Sequence, residues 1–94
     1  MSDWAYAQKD KSEELCRLHY FAVKKKQGER TIEFVITVRE YVSPLDPTMP
    51  FFAQADREMN QNAVAYRPSG WGKSLLEALD MCLRAIRKFD YEGE

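Results

Sequence analysis

The clearest chemical motif in the sequence is a glycine-containing segment that ends with Gly72-Lys73-Ser74. A phosphate-binding P-loop has the pattern GxxxxGK(S/T), because its first glycine lets successive backbone N–H groups surround the phosphate. Arg67 occupies the position of that first glycine. The parallel sheet that normally carries a P-loop also needs a longer chain than these 94 residues. We therefore do not expect nucleotide hydrolysis, and the segment is more typical of a turn that leads into a helix.

The two cysteines and the single histidine could bind a metal ion or supply a nucleophile. Cys16 and His19 are three residues apart, which places their side chains on opposite faces of a strand and together only on a helix. A structural zinc site needs four ligands with close pair spacing, and Cys82 would supply only a third. We therefore expect no metal ion and no cofactor. The same geometry counts against a Cys–His nucleophilic pair.

One pair of carboxylates has a spacing that general acid–base chemistry could use. Asp56 and Glu58 would share one face of a strand, about 7 Å apart. Alternating charge on the solvated side of a strand is far commoner than a catalytic pair. Since no other groups converge, we predict a protein that is not an enzyme.

The main basic cluster lies in a predicted turn, and one lysine later in the chain could add to it. The five residues are Lys24, Lys25, Lys26, Arg30 and Lys73. Phosphate binding grows with the number of neutralising contacts. The chain has 15 acidic and 14 basic side chains, and its formal net charge of −1 excludes a strongly basic nucleic-acid clamp. Weak nucleic-acid binding is therefore the alternative function, and a solvated turn is the simpler interpretation of the cluster.

Several large apolar side chains fall outside the clearly periodic segments, namely Met49, Phe51, Phe52, Trp71 and Tyr91. Aromatic residues and methionine are enriched in protein interfaces. Phe51 and Phe52 are adjacent, so in a strand one of them must leave the core face. We predict a small non-catalytic module that acts through protein–protein interaction, as an adaptor or an inhibitor of a larger assembly. The same aromatics could instead close the ends of a small core.

The length and composition are typical of one soluble domain. Residues 13–91 would form it, and residues 1–12 a flexible lead-in. No apolar run approaches the roughly 18–20 residues that cross a bilayer, and the N-terminus has no secretory signal. Two distant cysteines are typical of reduced thiols. We expect a cytoplasmic protein with no membrane partner, and a homodimer through an exposed sheet edge stays open.

Residues 31–42 show the alternation of apolar and polar side chains that predicts a strand. The preceding residues allow two interpretations. They alternate as a strand that Gln27–Arg30 would connect to 31–42 as a hairpin. A helix over residues 10–26, which Asp10 would cap and Gly28 would end, also fits. We favour the hairpin slightly, because the long strand needs a partner.

The proline-containing segment 43–50 predicts an extended loop, since proline lacks the N–H that a sheet requires. A strand begins at Phe51, a turn is expected at 60–62, and a short closing strand at 63–66. Residues 74–89 have helical apolar periodicity behind a Ser-x-x-Glu capping box. The predicted fold is α+β, a three- to four-stranded antiparallel sheet covered on one face by the C-terminal helix. Its order is β-β-β-(β)-α, or α-β-β-β-α if residues 10–26 are helical.

A local resemblance concerns small residues at fixed spacing, Gly70, Gly72, Ser74, Ala78 and Cys82. With these positions, residues 70–86 resemble the last strand-to-helix junction of double-stranded RNA-binding domains. In that family paired lysines follow the serine and bind phosphates together with the helix N-terminus. Here the two positions are Leu75 and Leu76. The resemblance therefore implies a strand–turn–helix shape more than RNA binding.

Overall fold

The computed structural model describes residues 3–93, in which one antiparallel sheet is followed by a C-terminal helix. A 3-10 helix at Asp3–Ala7 comes first. The strands lie side by side in chain order, and the elements are β1 (Cys16–Gln27), β2 (Arg30–Tyr41), β3 (Phe51–Ala55), β4 (Ser69–Gly72) and α1 (Leu75–Lys88). The structure confirms the predicted fold class and its β-β-β-β-α order.

The first two strands form a long hairpin, which excludes a helix over residues 10–26. Every residue of β1 pairs with one of β2, from Cys16 opposite Tyr41 to Gln27 opposite Arg30. Gly28 has a φ of 63°, which glycine adopts without strain at the first central position of a two-residue turn. The hairpin thus follows from the alternation in both strands and from this glycine.

The prediction of a closing strand at residues 63–66 is wrong. In that segment Tyr66 makes an isolated bridge to Met59, and the fourth strand comes after Pro68. β4 alternates glycine with a larger residue, so it has none of the apolar pattern that identifies a strand. A Cβ at Gly70 would lie 2.4 Å from the Cβ of Met81. The absence of a side chain therefore lets α1 lie directly on β4.

Both ends of α1 have hydrogen-bonding partners. At the N-terminus Ser74 Oγ accepts a bond of 3.1 Å from Glu77 N–H, as predicted, while the Glu77 carboxylate accepts a 3.4 Å bond from Lys73 N–H. At the C-terminus Lys25 Nζ donates to the carbonyls of Ile86 and Phe89 at 2.8 and 2.7 Å. A cation here also suits the negative end of the helix dipole. Lys25 therefore fastens the helix to β1.

The core lies between α1 and one face of the sheet, here called the helix face. In β2 the even-numbered residues point to this face, as the sequence predicts. The buried cluster consists of Ile32, Phe34, Ile36, Val38, Ala53, Ala55, Met59, Ala78, Cys82 and Ile86. The opposite face of the sheet is here called the open face, because within residues 3–93 no helix or strand is stacked on it.

The β1–β2 hairpin is longer than β3, so within residues 3–93 part of β2 has no strand on its β3 side. Residues that follow β3 bond to the backbone of that part. β3 pairs with β2 at Ile36–Glu40. Past its end, Asp56 exchanges two hydrogen bonds of 3.0 Å with the backbone of Val35, and Arg57 Nε donates to the carbonyl of Glu33. Asp56 and Glu58 were predicted to share one face of a strand, but β3 ends before both of them. The Asp56 carboxylate is instead bonded to the backbone of Val35.

The predicted lead-in makes defined contacts where the structure describes it; residues 1 and 2 lie outside the described part. Ala5 is buried. The Gln8 side chain accepts a bond of 2.8 Å from Leu15 N–H and donates to Ser43 Oγ at 2.9 Å. Over residues 3–93 the helices are too short or too polar to span a bilayer.

Candidate interaction surface

The open face of the sheet carries large apolar and aromatic side chains. In the strand register, β1 residues with even numbers and β2 residues with odd numbers share this face with Phe52 and Trp71. Its apolar members are Leu18, Tyr20, Val35, Tyr41, Phe52 and Trp71. Tyr20 is 64% exposed and Trp71 45% exposed. Exposed apolar side chains that share one face are typical of interaction sites.

Three rings on the open face form an aromatic cluster, defined here as Tyr41, Phe52 and Trp71. Trp71 lies opposite Phe52 across the β3–β4 pair, with ring centroids 4.6 Å apart. Tyr41 is stacked on the indole at 6.2 Å with an interplanar angle of 22°. Such aromatic pairs contribute about 0.5–1.5 kcal/mol beyond area burial. The cluster is therefore already ordered before any partner binds.

The glycines of β4 determine the position of the indole. Gly70 and Gly72 point to the helix face, and both are buried there. Because side chains alternate along a strand, Trp71 between them must point to the open face. The same alternation separates Phe51, on the helix face, from Phe52. As predicted, one of these adjacent phenylalanines leaves the core.

The proline-containing loop adds a shallow pocket beside the cluster. A cavity of about 200 Å³ is lined by Asp46, Met49 and Trp71. Asp46 Oδ1 accepts hydrogen bonds from the hydroxyl and N–H of Thr48, at 2.7 and 3.0 Å, and these bonds lower the pKa of the carboxyl. The pocket is therefore lined by two large apolar side chains and by one carboxylate that Thr48 holds in place.

The five predicted interaction residues are divided between three places. Phe52 and Trp71 lie together on the open face, and Met49 lines the pocket beside Trp71. Phe51 packs against the core on the helix face. Tyr91 lies at the far end, edge-on to Phe34 with centroids 6.1 Å apart. Sequence reasoning missed Tyr41, although its odd position in β2 was a usable signal.

The predicted basic residues do not form one patch. Lys24 and Lys26 are exposed on the open face, whereas Lys25 lies on the other side of β1 with α1. Arg30 donates to the carbonyl of Gly93 at 2.8 Å. Lys73 follows the opposite end of the sheet, roughly 30 Å from Lys26 at about 3.3 Å per strand residue. Lys24 and Lys26 therefore share a face with the aromatic cluster but lie at a distance from it.

The candidate nucleophiles and metal ligands are separated. Cys16 lies on the open face and His19 on the helix face, where His19 Nε2 is 2.9 Å from Glu40 Oε1. Cys82 is buried in the core, and this burial raises the pKa of its thiol to about 11. Among residues 3–93, no group of three His, Cys, Asp or Glu side chains is arranged to hold a metal ion.

A larger concavity than the pocket beside Trp71 lies between α1 and the connection from β3 to β4. It has a volume of about 530 Å³, and its apolar lining residues are Val64, Tyr66, Met81, Ala85 and Phe89. No sequence pattern predicted this groove, because its walls come from one side of α1 and from a loop of irregular composition.

Comparisons with protein-family models, with curated proteins and with solved structures found no match for this chain. The geometry of its own surfaces is therefore the basis for a functional hypothesis.

Proposed function

We propose that this chain is a small non-catalytic protein-interaction module, an adaptor or an inhibitor of a larger assembly, whose contact surface is the open face around the aromatic cluster. The observation that carries the proposal is the position of Trp71. Its ring lies beside the rings of Tyr41 and Phe52, yet 45% of the residue is exposed on a face that α1 does not cover. Tryptophan and tyrosine in such settings dominate the binding energy of protein interfaces.

The cluster is suited to binding because it is held by strands. Phe52 and Trp71 are on paired strands, so little side-chain freedom is lost when a partner docks. Arg39 lies beside Phe52 on the same face, across the β2–β3 pair. A partner segment that fits would insert an apolar side chain beside the indole and place a carboxylate near Arg39.

The test compares two exposed residues on opposite sides of the domain. Trp71→Ala removes the indole, whereas Leu76→Ala removes a side chain that is 74% exposed on α1 and lies away from the open face. Proteins bound to the immobilised chain are recovered from an extract of the source organism, and the purified partner is titrated against each variant. We expect Trp71→Ala to weaken binding at least about tenfold and Leu76→Ala to leave it unchanged.

A second readout reports on the site itself. In a Trp4→Phe background Trp71 is the single tryptophan, so partner binding at the cluster shifts its fluorescence to shorter wavelength. The proposal fails if Trp71→Ala keeps both its fold and its full affinity. It also fails if the wild type retains no protein that the Trp71→Ala variant loses.

The alternative function, binding of single-stranded nucleic acid, is supported by one observation. Tyr20, Lys24 and Lys26 share the open face with Trp71, and bases stack on exposed aromatic rings beside cations. The residues after Ser74 are leucines rather than phosphate-binding lysines, which disfavours duplex recognition at the start of α1.

Titration with single-stranded and duplex RNA at two salt concentrations distinguishes the alternatives. Nucleic-acid binding predicts affinity for single strands that falls steeply with salt and is lost in Lys24→Glu/Lys26→Glu. In the protein-interaction function the same charge reversal changes mainly the association rate. No RNA binding at low salt eliminates the alternative.

A further inference from the structure

The outer edge of β1 carries a row of backbone groups with no partner strand within residues 3–93. Val42 N–H donates to the carbonyl of Leu15 at 3.2 Å. With the β1–β2 register, this bond directs the backbone N–H and C=O groups of odd-numbered β1 residues toward β2. The outward groups therefore belong to Cys16, Leu18, Tyr20, Ala22, Lys24 and Lys26.

This edge lacks most of the devices that keep sheet edges from pairing. Natural edges are short, interrupted by proline or a bulge, or lined with lysine. β1 has 12 residues and pairs with β2 in an unbroken register, and residues 16–23 contain neither proline nor lysine. The other edge strand, β4, has four residues and follows Pro68. β1 is therefore the edge that can accept another strand.

The charges along this edge make it complementary to itself. Glu13 and Glu14 precede β1, and Lys24–Lys26 stand near its end. A parallel second copy would place like charges side by side. An antiparallel copy would place the exposed Glu14 beside the exposed Lys24, and the two-fold symmetry would form this contact twice.

We infer that two copies of this chain pair through the outer edges of β1, antiparallel about a two-fold axis at His19, to form one eight-stranded sheet. The inference goes beyond the proposed function, because it uses the outer edge of β1, whereas the aromatic cluster lies on β2, β3 and β4. Both helices then lie on the same side of the joined sheet, and the two open faces become continuous.

The position of the axis follows from matching chemistry across the pair. In a continuous sheet, open-face residues must lie opposite open-face residues, so even-numbered positions pair with even-numbered positions. An axis at His19 places Leu18 opposite Tyr20 and Cys16 opposite Ala22 of the second copy. It also places Glu14 opposite Lys24. An axis at Tyr20 would instead bring Cys16 against Lys24, so the first arrangement matches both polarity and charge.

Charge reversal at two neighbouring positions tests the register. Sedimentation equilibrium on the full chain should show a dimer. Lys24→Glu should raise the dimer dissociation constant about tenfold, because it places two carboxylates together in each of the two contacts. The matched control is Lys26→Glu, which reverses a charge on the same face opposite Ser12 and should leave the constant unchanged. Glu14→Lys/Lys24→Glu should restore the wild-type constant.

Cross-linking tests the axis directly. In a Cys16→Ser background, His19→Cys places two thiols at the axis, where opposed Cα atoms in a non-hydrogen-bonded pair are about 4.5 Å apart, within disulfide range. Tyr20→Cys would place them diagonally at about 7–8 Å, too far for a bridge. Oxidation should therefore produce a covalent dimer from the first variant and not from the second.

A proline variant tests the edge without relying on charge. Tyr20→Pro removes an outward N–H and leaves the β1–β2 hydrogen bonds in place, so it should yield a folded monomer. If that variant unfolds, Tyr20→Glu tests the same position. The inference is overturned if the wild type is monomeric at millimolar concentration. It is also overturned if Lys26→Glu weakens the dimer as much as Lys24→Glu, or if Tyr20→Cys cross-links in place of His19→Cys.

Discussion

Both faces of the sheet carry large apolar side chains, but α1 covers only one of the faces. On the helix face Phe34, Ile36 and Val38 are completely buried under α1. On the open face Tyr20 and Trp71 keep about half of their surface in contact with solvent. Exposed apolar surface contributes little to folding, since the hydrophobic gain requires removal from water. Burial in the fold therefore explains the apolar residues of the helix face, whereas it does not explain the exposed ones of the open face.

The largest expected loss of stability comes from a substitution in the core on the helix face. Phe34→Ala should lower the free energy of unfolding by about 3–5 kcal/mol, because the buried ring leaves a cavity under α1. For a domain of this size the melting temperature should fall by more than about 10 °C. Val35→Ala, at the next residue but on the open face, is the control and should cost far less. Thermal unfolding followed by circular dichroism measures both, and equal losses would contradict the distinction between the faces.

The free energy of unfolding should depend on pH because of the buried Cys82 thiol on the helix face. Burial raises the pKa of Cys82 from its ordinary 9.0 to about 11, so between these values the folded chain retains a proton that the unfolded chain releases. The stability contributed by the protonated Cys82 thiol is fully present below pH 9 and is lost as the pH rises toward 11. This loss should reach about 2–3 kcal/mol, at 1.36 kcal/mol for each pKa unit.

Urea unfolding at several pH values from 8 to 11 measures this slope. Tyrosine and lysine side chains titrate in the same range, so Cys82→Ala is the necessary control. It starts from a lower stability, and its curve should fall less steeply with pH than that of the wild type. Parallel curves for the two proteins would show that the Cys82 thiol does not contribute.

A smaller loss of stability is expected when a side chain is added where β4 contacts α1. A Cβ at Gly72 would lie 2.4 Å from the backbone nitrogen of Ala78, so Gly72→Ala forces the helix away from the sheet. Overpacking of this kind costs about 1–3 kcal/mol. Ser69→Ala, on the open face of the same strand, is the matched control. A Gly72→Ala variant as stable as wild type would mean that α1 is not held closely on β4.

Periodicity in the sequence predicted the elements of the helix face well. β2 alternates β-branched and polar residues, and α1 repeats leucines behind a capping serine, so both elements were identified near their true bounds. β4 could not be identified this way. Its inward residues, Gly70 and Gly72, have no side chains, and their role becomes visible only once α1 is placed against them.

The candidate surface was predictable only in part, because local alternation shows that a residue is exposed but not which residues lie beside it. Adjacent phenylalanines showed that one of Phe51 and Phe52 must be exposed, and the structure assigns Phe52 to the open face. The position of Tyr41 beside Trp71 depends on the order of strands, which local sequence does not determine. The same holds for Lys25, which a local pattern places in a solvated cluster and the fold places against the end of α1.

The smallest expected effect is on the open face itself. Tyr20→Thr replaces a side chain that is 64% exposed with another good strand former, so little buried area and little strand propensity are lost. The free energy of unfolding should change by less than about 0.5 kcal/mol. It should be measured by urea unfolding at low protein concentration, where any dimer is dissociated and the value belongs to the monomer. A loss comparable to that of Phe34→Ala would mean that folding also needs the open face, and exposed aromatics there would no longer point to binding.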